Sequence, residues 1–321
     1  MKKVTVVIPN FNGKEYLDDC LSSLGKQTFR DFDTILVDDG STDGSASYVK
    51  EKWPEVTVIE NSGNKGFAAA VNAGIRACES PYVFLLNNDT VCSEEAISSL
   101  VKVMDKKQKA FSVQAKMLAL KPPHNIDDCG DYYCALGWAF TPGKDADPSR
   151  FSKREALTSA CAGAAMYRRD LFEKVGLFDE AHFCYLEDVD IGYRARLKGY
   201  VNLYEPSSVV YHAGSATSGS RYNEFKVRLT AANNLYLIYK NMPALQVIIN
   251  LPLILIGIAV KHVFYTRGHL GTAHVKGLGD GFNKIFKNTD KKVKFDASAI
   301  LFSIKLQLEL WVNCFRRLLH V

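Results

Sequence analysis

Three short segments carry the side chains able to do chemistry in this 321-residue chain. Asp38-Asp39-Gly40-Ser41-Thr42-Asp43-Gly44 puts carboxylates on a tight turn. Asn87-Asn88-Asp89-Thr90 flanks one carboxylate with amides, and Glu187-Asp188-Val189-Asp190 offers a carboxylate cluster. A carboxylate among amides is a hard oxygen ligand for Mg²⁺ or Mn²⁺, although Asp89 taken alone equally well starts a turn. The Glu187–Asp190 group suits proton removal from a hydroxyl. It also suits a helix N-terminus, with Asp190 pairing to Arg194 at i,i+4. No GxGxxG follows the first apolar run and no GxxxxGK[ST] occurs, so the common dinucleotide and P-loop phosphate cradles are excluded. A bound phosphate would then need a metal to neutralise it.

These segments follow apolar runs that read as strands. Val4–Ile8, Thr34–Val37, Val56–Ile59 and Tyr82–Leu86 alternate with helical spacings at Tyr16, Leu17, Cys20, Leu21 and Leu24 and at Phe67, Ala70, Val71, Gly74 and Ile75. The order β-α-β-α predicts a mostly parallel sheet flanked by helices. Ligands of such sheets sit beyond the C-terminal strand ends, where Asn10, Asn12, Asp38, Asp39, Asn61, Asn64 and Asn87–Asp89 fall. Ser93 is the expected N-cap of the next helix, with Glu94 and Glu95 in its first turn. Residues 110–160, with Pro122-Pro123, Gly130, Gly137 and Pro142-Gly143, read as irregular and as a flap facing an acceptor.

Composition sets the outer bounds. With 47% hydrophobic and 23% charged residues the chain is an ordinary globular protein, neither disordered nor built of repeats. Its net charge of +5 is carried by the tail. From Lys261 onward 11 Lys/Arg face 4 Asp/Glu, whereas the preceding 260 residues hold 29 against 31. Such a tail predicts an anionic inner membrane surface as partner; no nucleic acid is expected. The 8 cysteines contain no CxxC pair, which fits a cytosolic body with reduced thiols and no zinc site. The first nine residues are too short in apolar run for a signal peptide.

Taken in order, Val7-Ile8-Pro9-Asn10-Phe11-Asn12, Val37–Gly44, Asn61-Ser62-Gly63-Asn64-Lys65-Gly66-Phe67 and Leu85–Thr90 resemble the nucleotide-sugar half of family 2 glycosyltransferases, the GT-A fold. Cys161–Arg169 and Phe178-Asp179-Glu180 are similar to that family's acceptor side, and Tyr185–Arg194 to its catalytic segment. The rhamnosyltransferase-like subgroup is the nearest in pattern. The resemblance covers about residues 1–240.

The resemblance implies roles for single residues. Asp38 and Asp39 would contact the donor's base and ribose beside the Pro9, Asn10 and Asn12 backbone, and Asn64, Lys65 and Gly66 would complete that pocket. Asn87 and Asn88 lead into Asp89, at the place of the family's DxD motif. Asn87 stands where many members have Asp, so His212 in Val210-Tyr211-His212-Ala213-Gly214-Ser215 becomes the second expected ligand of Mg²⁺ or Mn²⁺. Asp188, with Glu187 beside it, would be the base that takes the proton from the acceptor hydroxyl, giving inversion without a covalent intermediate. Ala231-Ala232-Asn233-Asn234-Leu235 replaces the QxxRW of processive members, which implies one sugar per encounter. The implied substrates are a dTDP- or UDP-sugar, possible rhamnose included, and a glycan or lipid-linked acceptor in cell-surface polysaccharide synthesis. Self-association as a homodimer is left open. Arg168, Arg169 and Arg194 are candidates for phosphate contacts or ordinary surface charges.

The chain divides at residue 240. Residues 241–321 form a helical, basic region expected at the cytoplasmic membrane face, peripheral or monotopic. Asn241–Val260 carries no charge, yet Gln246, Asn250, Pro252 and Gly257 interrupt it. A helix lying in the interface or a re-entrant hairpin fits better than a span. Ala297–Val321 repeats Ile300, Leu301, Ile304, Leu308, Trp311, Val312, Phe315 and Leu319 at helical spacing, and two core helices packed on the body are the competing reading. Two other functions remain open at this point. A sugar-phosphate nucleotidyltransferase would want a Gly- and Arg-rich loop after the first strand, which Pro9–Gly13 lacks; a membrane-associated glycan-binding scaffold would have no use for Asp89, Asp188 and His212 together.

Overall fold

Val4–Asn10 forms the first strand, β1, with all of its residues buried, as its β-branched run requires of a strand covered on both faces. A computed structural model describes residues 1–214, 222–295 and 299–319. Ser215, Ala297 and Val321, quoted above, lie outside them. Helix α1 (Lys14–Gly25) leads to β2 (Phe32–Asp38), α2 (Ser45–Lys52) to β3 (Thr57–Glu60), and α3 (Phe67–Ala77) to β4 (Tyr82–Leu86). Strands β3, β2, β1 and β4 lie side by side, all parallel. Alternate residues feed two cores: Val6 and Ile8 face Leu17, Leu21 and Phe84, whereas Val7 faces Val37, Val71 and Ile75. The parallel register puts every C-terminal strand end at one edge, with Asn10 beside Asp38 and Asp38 beside Glu60.

Beyond β4 the sheet becomes mixed. The chain continues through β5 (Thr90–Cys92), α4 (Ala96–Lys106), β6 (Ala110–Ala119), β7 (Ile126–Asp128), β8 (Tyr132–Cys134), β9 (Trp138–Phe140), β10 (Glu155–Leu157), β11 (Ala164–Arg168), α5 (Phe172–Val175), α6 (Glu187–Leu197) and β12 (Val201–His212). The spatial order is β10-β12-β6-β11-β4-β1-β2-β3. Strand β11 runs antiparallel to both β4 and β6. Four helices follow: α7 (Glu224–Asn241), α8 (Ala244–Arg267), α9 (Gly271–Lys287) and α10 (Ala299–Leu318).

Three sequence expectations are corrected. Ser93 does not cap α4: the helix begins at Ala96, and the distant Gln27 Oε1 accepts the Ile97 N–H at 3.1 Å. A buried amide two residues beyond α1 has replaced the local cap. Residues 110–160 are not irregular throughout, because Ala110–Ala119 is a ten-residue strand inside the sheet. Gln114 and Lys116 in that run disguise a strand whose residues are almost all buried.

The third correction concerns the tail. Asn241 ends α7, and Pro243 separates it from α8. The polar interruptions of α8 face the protein: Gln246 meets the Tyr193 hydroxyl at 2.5 Å, Asn250 bonds Gln307 and Trp311 of α10, and the Gly257 carbonyl accepts the Trp138 indole N–H at 3.1 Å. Leu245, Ile248, Leu255 and Phe264 of the same helix point outward, whereas Ile254 is buried against the body. Helix α10 is turned the same way. Its seam on the body is Leu306, Leu310 and Asn313, whereas the repeat from Ile300 to Leu319 is exposed. The helices are thus packed on the body and apolar outside at once.

Candidate active site

The strand-end edge opens into a cleft of about 1480 Å³. Asn10 ties its floor together: its amide donates to Asp38 Oδ1 at 2.8 Å, and its oxygen accepts from Asn88 Nδ2 at 2.7 Å. Asp39 organises the adjacent loop by accepting the backbone N–H groups of Lys65 and Gly66 on one oxygen, at 2.9 and 2.8 Å, and the Asn61 amide on the other. Pro9, Asn10, Asp39, Asn64, Gly66, Asn87, Asn88, Asp89, Glu187, Asp188 and His212 all line the cleft. Asn12, Asp38 and Lys65 do not. Asp38 is buried beneath it, bonded to Asn10 and the Ser41 N–H, and Asn12 accepts the Thr42 N–H.

The loop before α6 is held under backbone strain. Phe183, Tyr185 and Leu186 all have φ of 65–66°, a left-handed region that costs about 1 kcal/mol or more for residues with a Cβ. Two contacts hold it. Gly66, at φ 91°, lies so near Phe183 that a Cβ would sit 2.6 Å from the Phe183 carbonyl oxygen. Asn233 on α7 donates its amide to the carbonyls of His182, Cys184 and Tyr185 at 2.9, 2.9 and 2.7 Å. The loop delivers Glu187 and Asp188, the first two residues of α6.

Asp190, one turn further in, is wholly buried against Arg194, Lys240 and Asn241. It therefore anchors α6 rather than lining the cleft. Burial would raise its carboxyl, but Lys240 and Arg194 outweigh that and hold it well below the usual range. Arg194 spends its other N–H groups on the Val175 and Leu177 carbonyls, and Arg168 on those of Met104, Lys107 and Ala110. Neither reaches the cleft, so both are withdrawn as phosphate contacts.

Asp89 and His212 meet across β5 and β12, with Asp89 Oδ1 3.2 Å from His212 Nε2. His212 Nδ1 lies 2.6 Å from Asp127 Oδ2. Burial alone would lower the His212 pKa, but bonds to Asp127 and Asp89 outweigh it and lift it to about 10. Asp127 is pulled the other way: burial is overcome by His212 and Lys144, and its pKa falls to about 2. Both carboxylates thus favour the protonated imidazole, and a cation taken up by Nε2 would displace that proton. A divalent cation fits between these groups as donors, a carboxylate oxygen and an imidazole nitrogen, with Asp127 in the place of a carboxylate that orients a ligating histidine. Among the described residues no group of three or more His, Cys, Asp or Glu could hold a metal by itself, so a cation here would need further ligands from outside the protein.

Asp128, Asp131, Glu187 and Asp188 also line the cleft. Asp188 Oδ1 accepts the Val189 N–H at 2.7 Å, and burial, with Asp128 nearby, raises its pKa to about 6. Burial and Asp188 push Glu187 well above the usual range, and its Oε2 has no protein hydrogen-bond partner. Burial, then Asp128 and Asp188, raise Asp131 in the same way. Glu187 and Asp131 therefore favour their protonated forms, and Asp188 is the carboxylate poised to accept a proton near neutrality.

Sequence reading missed Asp127, Asp128 and Asp131. Their signal, Asp127-Asp128-Cys129-Gly130-Asp131, sits among the glycines and prolines of 110–160, where carboxylates are ordinary turn residues. Asn233 stands out in the sequence only within Ala231–Leu235, in place of QxxRW, and a single amide on a helix discloses nothing about the carbonyls it meets.

The chain is similar to known proteins in sequence and in fold. The family model of glycosyl transferase family 2 matches residues 5–176. An N-acetylglucosaminyl-diphospho-decaprenol L-rhamnosyltransferase of Mycobacterium tuberculosis is 27% identical over 238 residues, spanning 67% of this chain and 77% of that protein. GalNAc-T7, solved with UDP, GalNAc and Mn²⁺, superposes with a TM-score of 0.61 at 17% identity over 75% of this chain, which covers 48% of GalNAc-T7. The mannosyltransferase PcManGT of Pyrobaculum calidifontis, solved with GDP-Man and Mn²⁺, gives 0.55 at 17% identity over 99% of this chain and 87% of its own. Neither the nucleotidyltransferase nor the scaffold reading survives these matches. With a parallel strand-end edge, a cleft of carboxylates and a family match over half its length, the chain belongs to glycosyl transferase family 2 and is a glycosyltransferase of GT-A fold.

Proposed function

We propose that the enzyme moves one sugar, with inversion, from a dTDP- or UDP-sugar to a hydroxyl of a glycan or lipid-linked acceptor during cell-surface polysaccharide synthesis. One observation carries the reading: Asp188 and the Asp89–His212 pair line the same cleft. The acceptor oxygen attacks the anomeric carbon, the bond to the nucleoside diphosphate breaks, and the acceptor proton passes to Asp188. A base so placed is worth roughly 10²–10⁴-fold. Glu187, kept protonated, offers a hydrogen bond to the incoming sugar. Asn10, Asp39, Asn64, Gly66, Asn87 and Asn88 bind the donor, Asp38 and Asn12 shape its loop, and Pro9 and Lys65 contribute backbone. Asp89 and His212 would hold Mg²⁺ or Mn²⁺, and the cation would supply charge neutralisation for the departing diphosphate. Rhamnose is the favoured sugar because the M. tuberculosis relative is a rhamnosyltransferase.

In this reading residues 1–240 form the catalytic unit and 241–321 a region seated on the cytoplasmic membrane face. Support comes from the outward apolar faces of α8 and α10 and from the basic balance after Lys261. Helix α8 is long and apolar enough to cross a membrane, but its buried polar line keeps it against the body. Thermal-shift screening of nucleotide sugars with and without Mn²⁺ identifies the donor. Asp188→Asn should then keep donor binding and lose transfer, and product NMR should show the inverted anomer. Full transfer by that variant removes Asp188 from the role.

A further inference from the structure

The cleft carries charge that donor binding and proton transfer do not use. Its wall of residues 139–151, together with the end of α10, presents Lys144, Arg150 and Arg317. Lys144 is paired to Asp127. Among the described residues neither Arg150 nor Arg317 belongs to an ion pair with an acidic side chain. Arg317 is nevertheless held in place: its guanidinium lies 5.8 Å from the centre of the Phe140 ring, while Arg316 sits 4.5 Å over Tyr132. Tyr132 and Phe140 are themselves in edge contact at 5.8 Å. An aromatic pair of the β8–β9 hairpin thus fixes the last turn of α10 at the mouth of the cleft.

The same helix is apolar outside. Leu308, Trp311, Val312, Phe315, Leu318 and Leu319 are exposed on it. A ligand meeting all three surfaces needs a sugar hydroxyl at the carboxylates, an anion at the arginines and a long apolar chain along α10. A soluble glycan has neither of the last two, and a nucleotide sugar lacks the chain. Guanidinium groups pair with phosphate oxygens through two parallel hydrogen bonds, so paired phosphates between sugar and chain satisfy both arginines.

Resting on the lipid-linked acceptor proposed above, we infer that Arg317 and Arg150 form a seat for the diphosphate of a polyprenyl-diphosphate sugar, with its chain lying on the outer face of α10. This seat is separate from the Asp89–His212 pair, which takes the donor's diphosphate. Arg317 and Arg150 are binding residues for the acceptor, not participants in proton transfer.

Farnesyl diphosphate is a suitable probe, and farnesol its uncharged control. Binding to the full chain is followed by tryptophan fluorescence, with saturating UDP and Mn²⁺ present to occupy the donor side. Farnesyl diphosphate should bind more tightly than farnesol, and Arg317→Ala and Arg150→Ala should each weaken it about tenfold or more, leaving farnesol binding unchanged. Both arginines are exposed, so the variants should melt with the wild type, and Arg317→Lys should fall between. Equal binding of the two probes, or unchanged binding in both alanine variants, overturns the seat. Loss of sugar transfer with farnesyl diphosphate binding and its arginine dependence intact strikes the proposed reaction instead.

Discussion

The side-chain amide of Asn233 donates to the main-chain carbonyl of Tyr185 at 2.7 Å, and Tyr185 has a left-handed backbone. The bond joins α7 to the loop that aims Asp188, and the same amide reaches the His182 and Cys184 carbonyls. Replacing Asn233 by Ala should release that loop. We expect kcat to fall at least tenfold while donor affinity holds, with about 1–3 kcal/mol lost in stability from the unpaired carbonyls. Steady-state kinetics and urea unfolding measure the two effects; an unchanged kcat would show that the loop holds itself.

Activity should depend on pH through Asp188. Its carboxyl titrates near about 6 because burial disfavours the ion, and only the ionised form accepts a proton. The acid limb of kcat/KM should therefore rise through roughly that pH and level off above it. A limb near pH 4, where an unperturbed carboxylate titrates, contradicts the environment described for Asp188.

Asp127 tests the metal site from behind. Asp127→Asn keeps the shape but weakens the grip on His212 Nδ1, whose distance to Oδ2 is 2.6 Å. Apparent Mn²⁺ affinity, read from titration of transfer activity, should drop about 10–100-fold. Asp89→Ala should lose metal dependence altogether.

Stability rests on Lys240. This buried ammonium lies 2.8 Å from Asp179 and 2.9 Å from Asp190. Lys240→Met leaves Asp179 with Lys291 and Asp190 with Arg194 as their remaining cations and should cost about 3 kcal/mol in denaturant unfolding, the low end for a broken buried pair. Both carboxyls lie below their ordinary values: burial is outweighed by Lys240 in each. Their stabilisation is accordingly full above about pH 4 and is lost on further acidification.

Asp131 has the opposite sign. Burial and neighbouring carboxylates raise its pKa, so the folded state binds this proton more tightly than the unfolded chain and loses stability as pH rises above the unfolded value of about 4. Asp131→Asn should raise the melting temperature at pH 7.5 and lose that advantage at pH 4. A uniform effect at both values would mean that the gain is not electrostatic.

Legibility followed locality. The parallel half of the fold could be read because each of its strands is an apolar run ended by its own polar turn, as in Tyr82–Leu86 before Asn87. The amides and carboxylates at those ends were readable for the same reason. Gln27 capping α4 could not be foreseen, since the partners are 70 residues apart. Strand β6 was hidden by Gln114 and Lys116, polar residues that its neighbours bury. On α10 the periodicity was correct, but spacing records a face without saying whether protein or lipid covers it.

Helix α9 lies hard against α7. A methyl group at Gly277 would sit 2.3 Å from the Arg228 carbonyl oxygen, and one at Gly281 3.1 Å from that of Ala232, the neighbour of Asn233. Two backbones in such contact move as one body. If the C-terminal helices sit on a membrane as proposed, a tilt of α9 imposed by lipid thickness or curvature would reach Asp188 through a lever two helices long, and turnover in detergent would then differ from turnover in a bilayer.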